Sequence, residues 1–316
     1  MKFNRPVPIK EIAAWIDATL IGDPTLNATG INEIHKVEKG DITFVDVEKY
    51  FRKSIDSKAS IIILNKYTEC PDGKALLLCE KPFLAYDSIV RRMRTPLIWN
   101  EIPKVNQSIS PDATIEPNVM IGNHVEIGAG SYLQAGTIIR DHVSIGKNVT
   151  IQSGAIIGTD AFYLKKWDSH YQSWTTGGKV VIENEVQIGA GCTINSGVSG
   201  DTVVGEGTKI DCQVQIGHGV VIGKHGLIAA QVGIAGKTII GDHCVIYGQV
   251  GIAQNLVIGN HVTILAKSGV GENIADGKIY FGIPAMEAKL KKRELVVLKQ
   301  LSEGWHSFKS VFRKDS

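Results

Sequence analysis

No stretch of this 316-residue chain approaches the ~18 uninterrupted apolar residues of a membrane-spanning helix. The opening segment, MKFNRPVPIKEIAAWID, meets Lys10 and Glu11 before any apolar run of signal-peptide length. An excess of charge of one sign is also lacking. The 34 Lys and Arg face 32 Asp and Glu, a formal +2, whereas a general nucleic-acid binder shows a strongly basic face. The five cysteines (Cys70, Cys79, Cys192, Cys212 and Cys244) are scattered and form no C-x-x-C pair. This argues against both a disulfide framework and a zinc site, and the simplest expectation is a reduced, cytoplasmic protein. Proline is scarce, at 10 residues, and the 34 glycines follow no Gly-X-Y period, so collagen is excluded. With 43% hydrophobic residues, disorder is excluded as well. The excess of glycine asks for a chain that turns often.

What is present is a period of six. Aliphatic residues recur from Ile109 through Ile115, Ile121, Ile127, Leu133, Ile139, Ile145 and Ile151 to Ile157. The series breaks over 158–181, resumes at Ile182, Ile188 and Ile194, slips by four residues, and runs unbroken from Val204 to Val270, 24 positions in all. Four residues after most of them sits a small or β-branched residue, such as Ala113, Val119, Thr137, Val214 or Thr238. Six fits neither a helix nor a simple amphipathic strand. It fits a short strand and a tight corner, repeated: the hexapeptide β-helix. Three hexads close one triangular coil of 18 residues, so the 24 positions predict about eight coils. Stacked coils bury one continuous column of Ile and Val.

The flanks differ. Over residues 1–100, Ile9, Ile12, Ala13 and Ile16 suit a short amphipathic helix. Ile61–Leu64 and Leu76–Leu78 read as buried strands around a Pro71-Asp72-Gly73 turn, giving a small α/β domain. Its boundary falls near 96–108, where Pro96 and Pro103 interrupt. The coil then spans 101–284. A loop inserted at 160–179 carries Phe162, Tyr163, Trp167, Tyr171 and Trp174, and is read as a lid or groove wall. Over 285–316, Leu290, Val297, Leu301, Trp305, Phe308 and Phe312 form a helical stripe. This tail holds eight Lys or Arg against four Asp or Glu. It is either a solvated cap on the coil or a docking face for an acidic partner.

Coil geometry turns sequence offsets into neighbours, because residues 18 apart lie one above the other at about 4.8 Å. His218 sits at a corner after Ile216. Asp211, seven residues earlier, is placed to reach the imidazole around that corner, and Gly236 lies 18 residues on, in the same column. A base, an orienting carboxylate and an N–H donor are what acyl transfer needs. A lone corner histidine is also an ordinary solvated turn residue. The histidine columns at 124 and 142, and at 225, 243 and 261, occupy equivalent corners. They read as polar turn residues, since no Cys or carboxylate completes a tetrahedral metal set.

The order of a small N-terminal domain, hexapeptide coil, aromatic insertion, Q-I-G-H-G-V at 215–220, G-I-A-G at 233–236 and terminal helix resembles the UDP-3-O-acylglucosamine N-acyltransferases of lipid A biosynthesis. The resemblance includes L-I-G-D-P at 20–24, G-D-I-T-F at 40–44 with K-Y at 49–50, and the I-D-x-x-x-Q-I-x-H run at 210–218. It implies a left-handed β-helix and a homotrimer without a membrane span. It also implies transfer of a 3-hydroxyacyl chain from the phosphopantetheine thioester of acyl carrier protein to the 2-amine of UDP-3-O-acylglucosamine, with no other cofactor and no metal. By motif position, His218 is similar to the family's general base, Asp211 to its partner and Gly236 to the oxyanion donor. Phe44 and Tyr50 match residues that hold uracil, and Lys289, Lys291, Lys292 and Arg293 suit an acidic carrier protein. The sequence departs from the family where its uridine-contacting Asn falls on Val47, where I-D-R-G reads Ile194-Asn195-Ser196-Gly197, and where a second His falls on Asn255, kept here as a substrate-binding residue. Two other readings are an acyltransferase for a different nucleotide amino sugar, with acyl-CoA as a possible donor, and a non-catalytic trimeric binding module.

Overall fold

The computed structural model describes residues 1–94 and 106–305, apart from the side chains at 302 and 303. The boundary at Pro96 and Pro103 lies outside the described residues, as do Phe308 and Phe312 of the tail stripe. The protein is mainly β. Residues 1–94 form a six-stranded mixed sheet of β1 (Lys2–Pro8), β2 (Thr19–Gly22), β3 (Asn27–Ile31), β4 (Asp41–Val45), β5 (Ile61–Leu64) and β6 (Ala75–Leu78), in the order β1-β3-β4-β5-β6-β2. The central strand β5 is apolar at all four positions because both of its faces are covered and every residue is buried. Helices α1 (Ile9–Trp15) and α3 (Pro82–Met93) cover one face, while Phe51 of α2 (Phe51–Ile55) packs on the other. Ile9, Ile12 and Ala13 are the buried stripe of α1, as their spacing requires.

From Ser108 onward the hexads fold into a triangular prism of parallel two-residue strands. Two of its three faces hold eight strands each, the number of coils that the period predicts. Each repeating aliphatic residue pairs with its counterpart one coil away: Ile121 with Ile139, Ile139 with Ile157, and so on through Ile194, Ile216, Ile234 and Ile252 to Val270. These side chains point inward and form one buried column, each stabilised by burial at about 25 cal/mol per Å² of apolar surface. Thr208 and Thr238 are also fully buried, and their hydroxyls donate to the carbonyls of Gly223 (2.9 Å) and Ala253 (2.8 Å). A polar atom inside the column is therefore satisfied by the adjoining corner. The far end is closed by Ile279–Phe281, paired antiparallel with Met286–Glu287, and by α4 (Ala288–Glu303).

Both interruptions of the period open on one edge of the prism. The 160–179 insertion leaves after the strand Ile156–Thr159, and the four-residue slip follows Thr193–Asn195. Both strands belong to the same face, and the chain returns in each instance to the same next face. The insertion is an antiparallel hairpin, Leu164–Lys166 against Tyr171–Ser173, rather than an irregular loop. Its Trp174 packs into the core of the N-terminal sheet, against Phe44 (5.4 Å), Phe83 (4.9 Å) and Tyr86 (5.8 Å). Further bonds tie the two units: the Thr175 N–H donates to Asp87 (2.7 Å), the Glu33 N–H to Ser199 Oγ (2.7 Å), and Lys165 pairs with Asp46. The irregular edge is thus where the N-terminal sheet docks.

Candidate active site

His218 lies on that irregular edge, just after the strand Gln215–Ile216. A corner position sends its side chain away from the Ile column, yet only 8% of the residue is exposed. The cover comes from distant sequence. Tyr163 of the hairpin places its ring 4.9 Å from the imidazole, and Gly236 backs it from the next coil. A Cβ on Gly236 would stand 2.7 Å from both ring nitrogens and closer still to Cε1, so only glycine leaves room for the imidazole. The backbone of His218 is pinned by the Lys237 N–H, which donates to its carbonyl at 2.8 Å. Among the described residues, no protein group hydrogen-bonds to either ring nitrogen. Burial lowers the His218 pKa below that of an ordinary histidine, and the neighbouring Lys237 ammonium lowers it further, while Glu33 opposes them. A neutral imidazole with a free nitrogen can accept a proton.

The Gly236 N–H has the second chemical property. At other corners the equivalent N–H is capped by a side chain one coil on: Asn123 by Asp141, Lys224 by Asp242, and Asp242 by Asn260. In the ladder around Gly236, Ala235 donates to Ile252 and Lys237 to His218, and the Gly236 N–H has no partner among the described residues. An uncapped N–H beside a free imidazole is suited to receive charge developing on a carbonyl oxygen.

Asp211 does not join them within one chain. It follows the strand Lys209–Ile210, which belongs to a different face from Gln215–Ile216, so the two residues occupy different edges of the prism. Asp211 is exposed, accepts a bond from the Cys212 N–H (2.7 Å), and lines a 400 Å³ groove with Gln187, Lys209 and Leu227. The expectation of a contact around one corner fails because a seven-residue offset crosses an entire side of the triangle.

Three residues that offset arithmetic leaves out stand beside His218 instead. The Lys237 Nζ donates to Glu33 Oε1 (2.9 Å) and to the Tyr163 hydroxyl (3.1 Å), and lies 4.3 Å from the centre of the Tyr163 ring. Tyr163 in turn donates to Glu33 Oε1 (3.2 Å). Glu33 comes from the segment between β3 and β4, Tyr163 from the hairpin and Lys237 from the coil. The signal available in the sequence was that both breaks in the hexad fall on the edge that carries His218.

The remaining candidates are dispersed. Asn255 is exposed on the same edge one coil beyond Lys237, and its N–H donates to the Gly236 carbonyl (3.1 Å). Asn195 and Ser196 hold the base of the hairpin through Thr159, Asp160 and Gly158. Phe44 is half-buried against Phe83, Tyr86 and Trp174, while Tyr50 stands exposed beneath Lys49, close to exposed Val47. On α4, Lys289, Lys292 and Arg293 are exposed. Lys291 is folded back, with its ammonium on Glu294 at 3.0 Å and its alkyl chain against Gly282. The histidine columns stack ring on ring, His124 on His142 at 4.7 Å and His243 on His261 at 5.0 Å. No group of three His, Cys, Asp or Glu among the described residues is arranged to hold a metal.

Similarity to known proteins extends over both parts of the chain. Residues 26–92 match the family model described as UDP-3-O-(3-hydroxymyristoyl) glucosamine N-acyltransferase, and residues 201–236 match the bacterial transferase hexapeptide. The UDP-3-O-acylglucosamine N-acyltransferase of Neisseria meningitidis serogroup B is 30% identical over 246 residues, covering 67% of this chain and 69% of that one. The corresponding enzyme of Campylobacter concisus is 36% identical over 231 residues, or 66% and 72% of the two chains. A solved UDP-N-acetylglucosamine acyltransferase of Francisella novicida aligns with a TM-score of 0.48 and 26% identity, over 60% of this chain and 73% of that one. The curated relatives match across most of their own length, the N-terminal sheet carries the family's model and the coil carries the transferase repeat, so this chain belongs to the UDP-3-O-acylglucosamine N-acyltransferase family.

Proposed function

We propose that this N-acyltransferase moves a 3-hydroxyacyl chain from the phosphopantetheine thioester of acyl carrier protein to the 2-amine of UDP-3-O-acylglucosamine. The observation that carries the reading is the pairing of an imidazole whose pKa is lowered, and whose nitrogens have no partner among the described residues, with the Gly236 N–H, likewise uncapped among them. The amine nitrogen attacks the thioester carbonyl carbon as His218 takes its proton. Charge on the carbonyl oxygen is received by the Gly236 N–H. Collapse of the tetrahedral intermediate breaks the C–S bond, and the leaving thiolate takes the proton back from His218. The acyl chain would lie in the apolar 670 Å³ groove of Gly233, Ala235, Gly251, Ile252 and Ile283, which begins beside Gly236.

Asp211, exposed on another edge, would reach a His218 only across to a neighbouring copy in a homotrimer. Exposed Lys289, Lys292 and Arg293 would receive the acidic carrier, with Lys291 serving the helix itself. Phe44 and Tyr50 would flank the uracil and Asn255 would contact the sugar. A second reading, a different nucleotide amino sugar as acceptor, is favoured by apolar Val47 beside Tyr50. The test is acyl transfer from 3-hydroxyacyl carrier protein to UDP-3-O-acylglucosamine and to other UDP- and dTDP-amino sugars, with products identified by mass spectrometry. Turnover with the first acceptor alone supports the main reading. Turnover only with another acceptor replaces it with the second.

A further inference from the structure

The Glu33–Lys237–Tyr163 cluster is not required by the mechanism above, and its position needs a reason. The Lys237 side chain is 18% exposed and that of Glu33 10%, so the ion pair is largely out of water. Pairs of this kind often contribute no more stability than an apolar contact, because desolvation offsets their attraction. Docking of the N-terminal sheet does not depend on this pair either. The Trp174 cluster, the Ser199–Glu33 backbone bond and the Thr175–Asp87 bond already hold it. Glu33 Oε2 is buried without a hydrogen-bond partner among the described residues, which leaves part of that carboxylate's charge uncompensated.

We propose that Lys237, anchored by Glu33 and Tyr163, is a positioning residue for His218: it fixes the imidazole through Tyr163 and sets the charge that the ring faces. The inference rests on His218 being the base. The geometry is a closed ring of contacts. Lys237 follows the glycine that backs the imidazole and pins the His218 carbonyl with its own N–H. Its ammonium then reaches over Tyr163, whose ring stacks at a tilt against the imidazole. Lys237 takes the left-handed backbone conformation (φ 63°) that this corner position shares with His225, His243, Asn255 and His261.

The charges around His218 come from each element packed against it. The coil supplies Lys237, and the segment between β3 and β4 supplies Glu33, with His35 and Lys36 behind it. The hairpin supplies Tyr163, whose phenol is held protonated by burial and by Glu33. The hairpin's Lys165 is neutralised by Asp46. Burial alone would depress the Lys237 ammonium, but Glu33 and Tyr163 outweigh it and keep it charged. In the resting enzyme Lys237 therefore favours the neutral imidazole. When the ring takes a proton, the half-compensated Glu33 carboxylate stabilises the imidazolium.

The two charges predict opposite effects. Lys237→Met removes the cation and raises the His218 pKa, moving the acidic limb of kcat/KM upward. Glu33→Gln removes the anion and moves that limb downward, and the double variant returns towards wild type. Lys237→Arg, which keeps the charge, keeps the limb in place and covers the outcome in which Lys237→Met fails to fold. The measurements are kcat/KM against pH and the ¹³Cε1 titration of His218 in the full-length protein, its signal assigned with His218→Gln. Shifts of opposite sign support the inference. Single variants that lose activity with no shift, or that shift in the same direction, overturn it. Full activity in His218→Ala would instead remove the base assignment, and the NMR titration would still report whether Lys237 and Glu33 act on the ring.

Discussion

Replacing Gly236 with alanine adds one methyl group and leaves the backbone N–H in place, so it isolates the steric part of the site. The added Cβ would stand 2.7 Å from both nitrogens of His218. Reaching an ordinary contact of about 3.5 Å requires the nitrogens to retreat by roughly 0.8 Å, and Cε1, which stands closer still, by more. Retreat is opposed by Tyr163, whose ring is 4.9 Å away and is itself held by Lys237 and Glu33. A displacement approaching 1 Å at a reacting group costs about 100-fold in rate, or about 2.7 kcal/mol of barrier. We therefore expect kcat of Gly236→Ala to fall about 100-fold, with thermal stability reduced by about 1–3 kcal/mol for overpacking at one corner. Gly226→Ala is the control, because its Cβ would meet nothing nearer than Thr208 at 3.5 Å. Steady-state kinetics and thermal melts on both variants decide the matter. If Gly236→Ala retained kcat within twofold of wild type, the imidazole would not be where the reaction needs it.

Three further outcomes are expected. The His218 pKa is lowered by burial and by Lys237, and a base works only when neutral. The acidic limb of kcat/KM should thus lie below the ordinary histidine value of about 6.5, and a limb above 7 in a pH–rate profile would contradict this. Ile216→Ala empties a fully buried place in the column two residues before His218, and should cost about 2–5 kcal/mol in denaturant unfolding. Charge reversal at Lys289, Lys292 and Arg293 together should raise KM for the acylated carrier about tenfold or more at low salt, whereas Lys291→Ala should leave it nearly unchanged, because Lys291 already pairs with Glu294.

The coil was legible because its signal is local and repeated. Each repeating aliphatic residue from Val204 to Val270 fills the same inward position, so six-residue spacing maps directly onto the three faces. His218 and Gly236 were legible for the same reason, since 18 residues is one coil and the two do meet. The contact of Asp211 with His218 around one corner is not made within the chain, because an offset of seven is not a multiple of the coil and carries the chain to another edge. Glu33, Tyr163 and Lys237 are separated by 130, 204 and 74 residues in their pairwise bonds. Contacts that distant are set by how the hairpin and the N-terminal sheet dock, and no period in the sequence encodes docking. The hairpin itself read as an aromatic loop. Its aromatic side chains serve different surfaces, with Trp174 in the sheet core, Tyr163 at His218, and Phe162 at 86% exposure.

The central claim is that one imidazole on the irregular edge of the coil removes the proton from the attacking amine. The most direct measurement is kcat for acyl transfer from 3-hydroxyacyl carrier protein by folded wild-type enzyme and by His218→Ala, with circular dichroism and oligomeric state matched. The account predicts a loss of about 10²–10⁴-fold in the variant, the range a positioned general base supplies. Turnover within a few-fold of wild type would contradict it.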